Sequence, residues 1–255
     1  MSQLFTLRLA TETLSVDAEQ IGLSIEELQK IRISVKASIV LSKRQLWLSY
    51  RIQLPSAFAS LNAKLDWPKW QQSQVRFTNY LWERTCLECF VSSEVADKTT
   101  NYIEINANPN GQYALYKFDS YRIPSTLPPI PLTQADGITK AKITWAKSLS
   151  NQQTKQVNSL KPHPTLANHF VDLSTTRFTS HYQYQRCFGV SLDQISLDAH
   201  NCYLTDNTGI KLLHPCVILQ FGKTNLYFAP AHATPPDFHQ HRYWTPLDLQ
   251  AALTK

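Results

Sequence analysis

The sequence predicts an all-β protein: an antiparallel β-sandwich of jelly-roll or immunoglobulin-like type, with one or two short helices. Two observations carry this prediction. Short segments in which apolar and polar residues alternate recur along the chain, as expected of strands with one buried face. Fourteen prolines among 255 residues also interrupt the sequence too often for long helices. The length allows one large β domain, and we expect a single domain over residues 1–255.

The first quarter of the chain contains three alternating segments and one helix start. Residues 4–9, 31–41 and 46–54 place apolar side chains at every second position, so each is predicted to be a strand. A polar turn separates the last two, which predicts a hairpin. Segment 24–30 begins with Ser and has Glu three residues later, the spacing of a capping box, and it therefore predicts a short helix.

Residues 81–122 are the most informative stretch of the sequence. Alternation predicts one strand over residues 81–91, a second over 102–108 and a third over 112–118. Residues 108–111 read Asn-Pro-Asn-Gly and predict a tight reversal, because Asn and Gly tolerate the positive φ that hairpin turns need. The three strands together predict a meander.

Charged side chains lie on this meander where a plain apolar core is expected. Arg84 and Glu88 share a predicted strand face with Trp82 and Phe90, and Glu104 follows on the next strand. Ionised groups that are half-buried in a sheet must be paired or must meet a ligand. The meander therefore either contains ion pairs that neutralise buried charge or lines a ligand pocket.

The second half of the chain mixes further strands with loops. Residues 138–145, 182–190 and 212–221 each predict a strand. Segment 123–131 contains four prolines and marks a change of composition after the meander. The polar segment 151–164 predicts an exposed insertion.

Composition argues against several classes of protein. The net charge is +6, but Lys and Arg are scattered without a basic stripe, so we expect no nucleic-acid partner. Residues 1–8 have no basic leader before an apolar core, and no apolar run reaches membrane-spanning length, so we expect a cytoplasmic protein without membrane association. Five cysteines, an odd number, fit a reducing compartment. Cys86 and Cys89 alternate onto opposite strand faces, which argues against a zinc or redox CxxC site.

Several motifs together resemble a known family. They are a Leu-Trp-Glu start with a Cys-x-Glu-x-Phe continuation at residues 81–90, the Asn-Pro-x-Gly turn at 108–111, a Phe-Asp-x-Tyr-Arg end at 118–122 and a Pro-Asp-Phe-His loop at 236–239. This combination resembles bacterial DOMON-like proteins related to family 9 carbohydrate-binding modules. The resemblance implies a β-sandwich whose superfamily members bind sugars or haem, usually without catalysing a reaction.

The residue chemistry is also compatible with sugar binding. A sugar site combines aromatic faces that stack on the ring with planar polar side chains that share hydrogen bonds with hydroxyls. The meander, its exit and the C-terminal loop supply this mixture. The candidate ligand-binding residues are Trp82, Arg84, Glu88, Asn106, Tyr116, Asp119, Tyr121, Arg122, Asp237 and His239. We therefore expect a non-catalytic module that binds a carbohydrate or a similar small polar metabolite in a cleft of the sandwich.

Haem and metal ions are alternative ligands, although we expect no cofactor. A Met axial ligand is excluded because the only Met is Met1. A bis-His haem site would have to use His232, His239 or His241. The same three histidines are weak candidates for a metal site, since residues 239 and 241 would share one strand face.

Two further functions stay open at the level of the sequence. Glu88 and Glu104 could act as the paired carboxylates of a glycoside-cleaving enzyme, although we expect no catalytic residues. Trp67 and Trp70 occur in a proline-containing loop, where they either pack beneath the loop or form a stacking platform. A protein-interaction module without a small ligand is therefore the other alternative, and a flat apolar patch near these tryptophans would favour it.

Overall fold

A computed structural model describes most of the chain. The described residues are 1–55, 59–93, 100–146, 176–177, 181–195 and 208–253. The insertion predicted at 151–164 lies outside these ranges.

The described chain is mostly antiparallel β-structure, as predicted. The strands are β1 Gln3–Leu9, β2 Arg32–Val40, β3 Gln45–Pro55, β4 Cys86–Ser92, β5 Tyr102–Ala107, β6 Tyr113–Phe118, β7 Ile143–Trp145, β8 Thr176–Arg177, β9 His181–Ser191, β10 Leu212–Phe221, β11 Thr224–Ala229 and β12 Thr245–Pro246. The helices are α1 Leu14–Ile21, α2 Ile25–Leu28, α3 Ala59–Lys64, α4 Leu192–Ile195 and α5 Leu249–Ala252.

All twelve strands belong to one sheet that is nearly closed on itself. Its main path runs β6-β5-β4-β10-β11-β1-β2-β3-β9-β7, with β12 on β10 and β8 on β9. Curvature brings the two ends of this path together. The contact is visible in a hydrogen bond of 3.0 Å that the Trp145 indole of β7 donates to the Gly111 carbonyl, in the turn between β5 and β6. Gly111 has a φ of +117°, and a Cβ there would lie 3.2 Å from the Gln71 carbonyl oxygen, so glycine is required at this contact.

Side chains from both halves of the sheet fill a large apolar core inside the curve. Leu87, Cys89 and Val91 of β4 point into this core. The Tyr50 hydroxyl of β3 crosses it and donates a hydrogen bond of 2.6 Å to the Glu88 carbonyl. Burial of apolar surface at roughly 25 cal/mol per Å² makes this core the main source of stability.

A second apolar cluster covers the outer face of the meander. It contains Cys86, Phe90, Tyr102, Tyr116, Phe118, Phe238 and Trp244. Strands β4 and β5 are consequently buried on both faces. This double burial explains why neither predicted face of these strands is plainly polar. It also leaves Cys86 and Cys89 on opposite sides of the sheet, as predicted.

The prediction of a strand over residues 81–91 is wrong for its first part. Residues Leu81–Glu83 form a 3₁₀ turn, and β4 begins only at Cys86. The turn starts after Tyr80, whose φ of +62° breaks the extended conformation. Trp82 and Arg84 therefore do not extend along a strand.

One predicted helix is confirmed, and the structure adds others. The Glu27 amide donates to the Ser24 hydroxyl oxygen at 3.2 Å, and the Ser24 amide donates to the Glu27 carboxylate at 2.7 Å, which completes the capping box of α2. Helix α1 was not predicted because the sequence has Val16, and not Glu or Gln, three residues after Thr13, and in the structure Thr13 makes no side-chain hydrogen bond to the helix backbone. No helix among the described residues is long and apolar enough to cross a membrane.

Candidate functional site

A cavity of about 390 Å³ lies on the outer face of the meander. Strands β4, β5 and β6 form its floor. Residues 122–129, which follow β6, and residues 236–239, which follow β11, form its walls. Most drug-sized ligands occupy cavities of about 300 to 1,000 Å³, so the space suits one small molecule.

Asp237 ties the two loops together at the edge of this cavity. Its Oδ1 accepts hydrogen bonds from Arg122 Nη2 at 2.9 Å and from the His239 amide at 3.0 Å. Its Oδ2 accepts one from the Tyr121 hydroxyl at 2.5 Å. Burial disfavours the charge of Asp237, but the hydrogen bonds of Tyr121 and Arg122 outweigh burial and lower its pKa. The carboxylate is therefore ionised and holds both loops in place.

Two glutamates occupy the floor. Glu88 pairs with Asn106 across β4 and β5, and Glu104 pairs with Phe90, so the two carboxyl groups are diagonal neighbours on one face. Such neighbours are separated by roughly 7 Å at Cβ, within reach of two flexible side chains. The Asn106 amide donates a hydrogen bond of 2.6 Å to Glu104 Oε1. Among the described residues, Glu88 Oε1 has no hydrogen-bond partner, although the side chain is buried.

Both carboxyl groups resist ionisation. Burial, followed by the charge of Glu104, raises the pKa of Glu88 from 4.5 to about 8. Burial also raises the pKa of Glu104 to about 7, against the opposing effects of the Asn106 hydrogen bond and the Arg122 charge. Two like charges in a site of low dielectric constant cannot both ionise easily, so the pair retains protons near neutral pH.

His239 stands over Glu104 without neutralising it. The Tyr102 hydroxyl accepts a hydrogen bond of 3.1 Å from the Arg122 amide and lies 2.7 Å from His239 Nδ1. The hydroxyl either donates its proton to Nδ1 or accepts one from it, according to the imidazole tautomer. Nε2 lies 3.8 Å from Glu104 Oε2, too far for a hydrogen bond. Burial lowers the pKa of His239 to about 3, so the ring is neutral.

The walls between floor and mouth are aromatic. Phe90 packs edge-on against the His239 ring at 4.9 Å between centroids, and Phe118 does so at 5.2 Å. The Trp82 ring meets Tyr116 at 5.9 Å and is partly exposed. An acidic floor below apolar walls can therefore bind a ligand that has both a polar end and an apolar face.

The mouth of the cavity is formed by the proline-rich segment. Pro124, Leu127 and Pro129 line it, together with Ser125 and Thr126. Leu127 is 74% exposed, so the rim presents apolar surface to solvent. The sequence distinguished this segment only by its four prolines.

The structure brings five of the predicted ligand-binding residues together at the cavity. These are Trp82, Glu88, Arg122, Asp237 and His239.

Three others support the site from behind. Asn106 binds Glu104, and Tyr121 binds Asp237. The Tyr116 hydroxyl donates a hydrogen bond of 3.0 Å to Asn79 Oδ1.

Two predicted site residues lie elsewhere. Arg84 forms a bidentate ion pair with Asp66, at 3.0 and 3.1 Å, and is exposed. Asp119 is exposed, with an oxygen 3.7 Å from Lys117 Nζ. Neither belongs to the lining of the cavity. For Arg84 the cause is the 3₁₀ turn, since continued strand alternation would have aligned it with Glu88.

Sequence reasoning missed Phe90, Phe118 and Phe238 as lining residues. It noted Glu104 as a buried charge but did not assign it to the ligand site. The register of β4 and β5 would have placed Glu104 beside Glu88. Segment 123–131 directly follows the meander in sequence, and this position could have indicated that it borders the cavity.

The histidines considered as metal or haem ligands have other contacts. His232 Nε2 lies 2.7 Å from the Arg8 carbonyl oxygen and donates to it. His241 packs on Trp244 at 4.1 Å between ring centroids. Across the described ranges, no three His, Cys, Asp or Glu side chains are grouped as they would be around a metal ion.

The loop tryptophan Trp67 packs against the protein. Its ring contacts Tyr184 at 5.2 Å, and the Arg186 guanidinium lies 5.4 Å from the ring centroid. Arg186 Nε also donates a hydrogen bond of 2.9 Å to the Pro109 carbonyl. These contacts favour packing beneath the loop over a free stacking platform.

Comparison with known proteins gives no match for this chain among family models, curated proteins or solved structures. The resemblance to DOMON-like proteins stays a prediction from the sequence motifs. The geometry of the cavity is thus the basis for a functional proposal.

Proposed function

We propose that this chain is a non-catalytic binding module that holds a small polar ligand, with a carbohydrate as the first candidate, in the cavity on the outer face of the meander. We also propose that the nearly closed sheet corresponds to the β-sandwich of DOMON-like proteins, with the apolar core between its two halves. The proposal includes no cofactor.

One observation carries the proposal. Glu88 is buried at the floor of the cavity, and its Oε1 accepts no hydrogen bond from the described residues. A buried polar atom without a partner costs about 1 to 3 kcal/mol. Oε1 itself is closed to solvent, so a rotation of the carboxyl group towards the cavity would bring it to a ligand hydrogen-bond donor, and the cost is then recovered on binding.

The walls complement a sugar ring. The partly exposed Trp82 ring offers an apolar surface to pyranose C–H groups, the buried Phe90 and Phe118 rings add apolar lining, and the carboxyl groups offer hydrogen bonds to hydroxyls. A protonated Glu88 can both donate and accept, and an ionised Glu88 accepts only, so in either state the carboxyl group suits a ligand with several hydrogen-bond donors.

The glutamates fit binding better than glycoside cleavage. A glycosidase pair needs environments that push the two pKa values apart, with one carboxyl protonated and the other ionised. Burial raises the pKa of both Glu88 and Glu104. The two pKa values are therefore raised together. Neither carboxyl group is held ionised while the other is held protonated.

A protein partner is the second candidate because the rim is apolar. Ile123, Leu127 and Ile130 are 55%, 74% and 54% exposed, and all three belong to the proline-rich segment. Such a patch is typical of interaction surfaces. A partner that docks on this rim would close the mouth of the cavity.

Titration of a panel of soluble sugars tests the proposal, with tryptophan fluorescence as the readout. Trp82 lines the cavity, so at least one sugar should change the fluorescence saturably, and Trp82→Ala should abolish the change. Trp47→Phe is a matched control outside the cavity and should retain it. If no sugar gives a saturable change in the wild-type protein, carbohydrate binding is refuted. An absorption spectrum with a Soret band would instead establish haem.

A further inference from the structure

We infer that the floor of the cavity binds a positively charged group of the ligand, such as a protonated primary amine, between the carboxyl groups of Glu88 and Glu104. This inference rests on the proposed binding function and narrows the ligand class. Within the carbohydrates it selects amino sugars over neutral sugars.

The geometry provides two acceptors for one cation. Glu88 and Glu104 project from the same face of neighbouring strands, and both line the cavity. Glu104 has one oxygen engaged by Asn106, whereas Glu88 Oε1 has no hydrogen-bond partner in the part of the chain that the structure describes. An ammonium group carries three donors and can reach an oxygen of each carboxyl group at once.

The protein does not supply this positive charge itself. Arg122 is the cation among the lining residues, and its Nη2 is 2.9 Å from Asp237 Oδ1. His239 is neutral because burial lowers its pKa to about 3. The carboxyl pair therefore has no cation of its own in direct contact, among the residues that the structure describes, and a bound cation would fill that place.

Other ionisable groups around the pair are neutral or already paired. Burial raises the pKa of Cys86 and Cys216 well above the ordinary value, so both thiols stay protonated. Burial raises the pKa values of Tyr50, Tyr102 and Tyr116 as well. The groups that face the pair on the outer side are Cys86 of β4, Tyr102 of β5, Tyr116 of β6, Cys216 of β10, and Arg122, Asp237 and His239 of the two loops. Tyr50 of β3 approaches from the inner core and donates to the Glu88 backbone carbonyl.

The aromatic walls also favour a cation. Trp82 lines the cavity and is partly exposed, and the buried Phe90 and Phe118 rings line it beside the carboxyl groups. Aromatic faces attract an ammonium group by about 0.5 to 2 kcal/mol, most strongly where water is excluded. A hydroxyl gains no comparable attraction.

Binding of a cation should displace a proton. Near neutral pH the pair retains protons because burial raises both pKa values. An ammonium group favours the ionised form, so the Glu88 O–H bond breaks and its proton goes to solvent while the carboxylate pairs with the cation. The affinity should consequently rise as pH increases through about 8, the pKa of Glu88, and level off above that value, where protons no longer compete.

Cyclohexylammonium and cyclohexanol form a matched pair of probes, since both carry an apolar ring and only the first is charged. Calorimetric titration of the full chain near neutral pH should show cyclohexylammonium binding at least about tenfold more tightly than cyclohexanol. Repeating the titration in buffers of different ionisation enthalpy should show release of about one proton per bound cation.

Two variants isolate the contribution of Glu88. Glu88→Gln keeps the shape of the protonated carboxyl and should lose the preference for the cation. Glu83→Gln makes the same substitution at an exposed side chain outside the cavity and should keep the preference. The proton release of the wild-type protein needs no variant, so it tests the inference even if Glu88→Gln folds poorly.

The outcomes separate this inference from the proposed function. Equal affinity for both probes, or cation binding without proton release, overturns the inference. Failure of cyclohexylammonium to bind also overturns it. Saturable binding of a neutral sugar that depends on Trp82 would still support the proposed function in each of these cases.

Discussion

The buried glutamate pair should make the protein less stable at alkaline pH, and Glu88→Gln tests this dependence. In the folded protein the pKa values of Glu88 and Glu104 are raised to about 8 and about 7, chiefly by burial. In the unfolded chain both carboxyl groups ionise near their ordinary pKa. Above the ordinary pKa the folded state therefore binds more protons than the unfolded chain. The stability contributed by the pair is fully present below the ordinary pKa and is lost as pH rises through the pKa values of the folded protein.

The magnitude follows from these pKa values. Between about pH 6.5 and about pH 8.5, Glu88 should reduce the free energy of unfolding by about 2 kcal/mol and Glu104 by about 1 kcal/mol. Glu88→Gln replaces the protonated acid by a neutral amide, which leaves only Glu104 to titrate. The free energy of unfolding of the variant should thus decrease by about 2 kcal/mol less than that of the wild-type protein over the same interval.

Urea unfolding followed by tryptophan fluorescence measures this difference at several pH values. All other titrating groups are shared, so the difference between the two slopes isolates Glu88. Glu83→Gln is the matched control and should keep the wild-type slope, because Glu83 is exposed. Identical slopes for the wild-type protein and Glu88→Gln would refute the claim that Glu88 is held protonated by burial.

Three further predictions concern the surroundings of the site. Tyr102→Phe removes the hydroxyl that joins the Arg122 amide to His239, and should cost roughly 1 to 3 kcal/mol in urea unfolding; an unchanged midpoint would contradict that bridge. Gly189→Ala places a Cβ 2.8 Å from the Trp47 ring and should lower the unfolding free energy by about 1 to 3 kcal/mol, whereas a neutral effect would show that the ring moves freely. Burial lowers the pKa of His214 to about 3, so its contribution to stability is present above the ordinary value of 6.5 and lost as pH falls towards 3; His214→Phe should therefore unfold at lower pH than the wild-type protein, and an equal acid midpoint would argue against a buried neutral ring.

The strands were predictable from the sequence because local alternation records which side chains face a core. Strand β2, at Arg32–Val40, and strand β10, at Leu212–Phe221, lie close to their predicted positions. Alternation is less informative for β4, since the outer aromatic cluster buries its second face as well. The predicted strand consequently ran on into the 3₁₀ turn at Leu81–Glu83.

The closure of the sheet was not predictable in this way. Arg8 of β1 pairs with Ala229 of β11, and β3 pairs with β9, across long separations in sequence. No local pattern specifies which distant strands become neighbours. Curvature of the sheet depends on these pairings together, so its near closure could not be inferred from single segments.

The candidate site shows the same division between local and long-range information. Charged residues among aromatics identified Glu88 as unusual, and a family resemblance drew attention to Asp237 and His239. The hydrogen bond between Arg122 and Asp237 spans 115 residues, and only the fold reveals it. Arg84 was assigned to the site by extrapolating a strand that does not exist there.

The most direct test of the account is a ¹³C NMR titration of the glutamate carboxyl groups, with the Glu88 signal assigned by its loss in Glu88→Gln. The account predicts that Glu88 titrates at about pH 8 in the free protein and at lower pH when cyclohexylammonium is bound. A Glu88 signal that titrates at the ordinary value of 4.5 and does not respond to the cation would contradict a buried, ligand-directed carboxyl group.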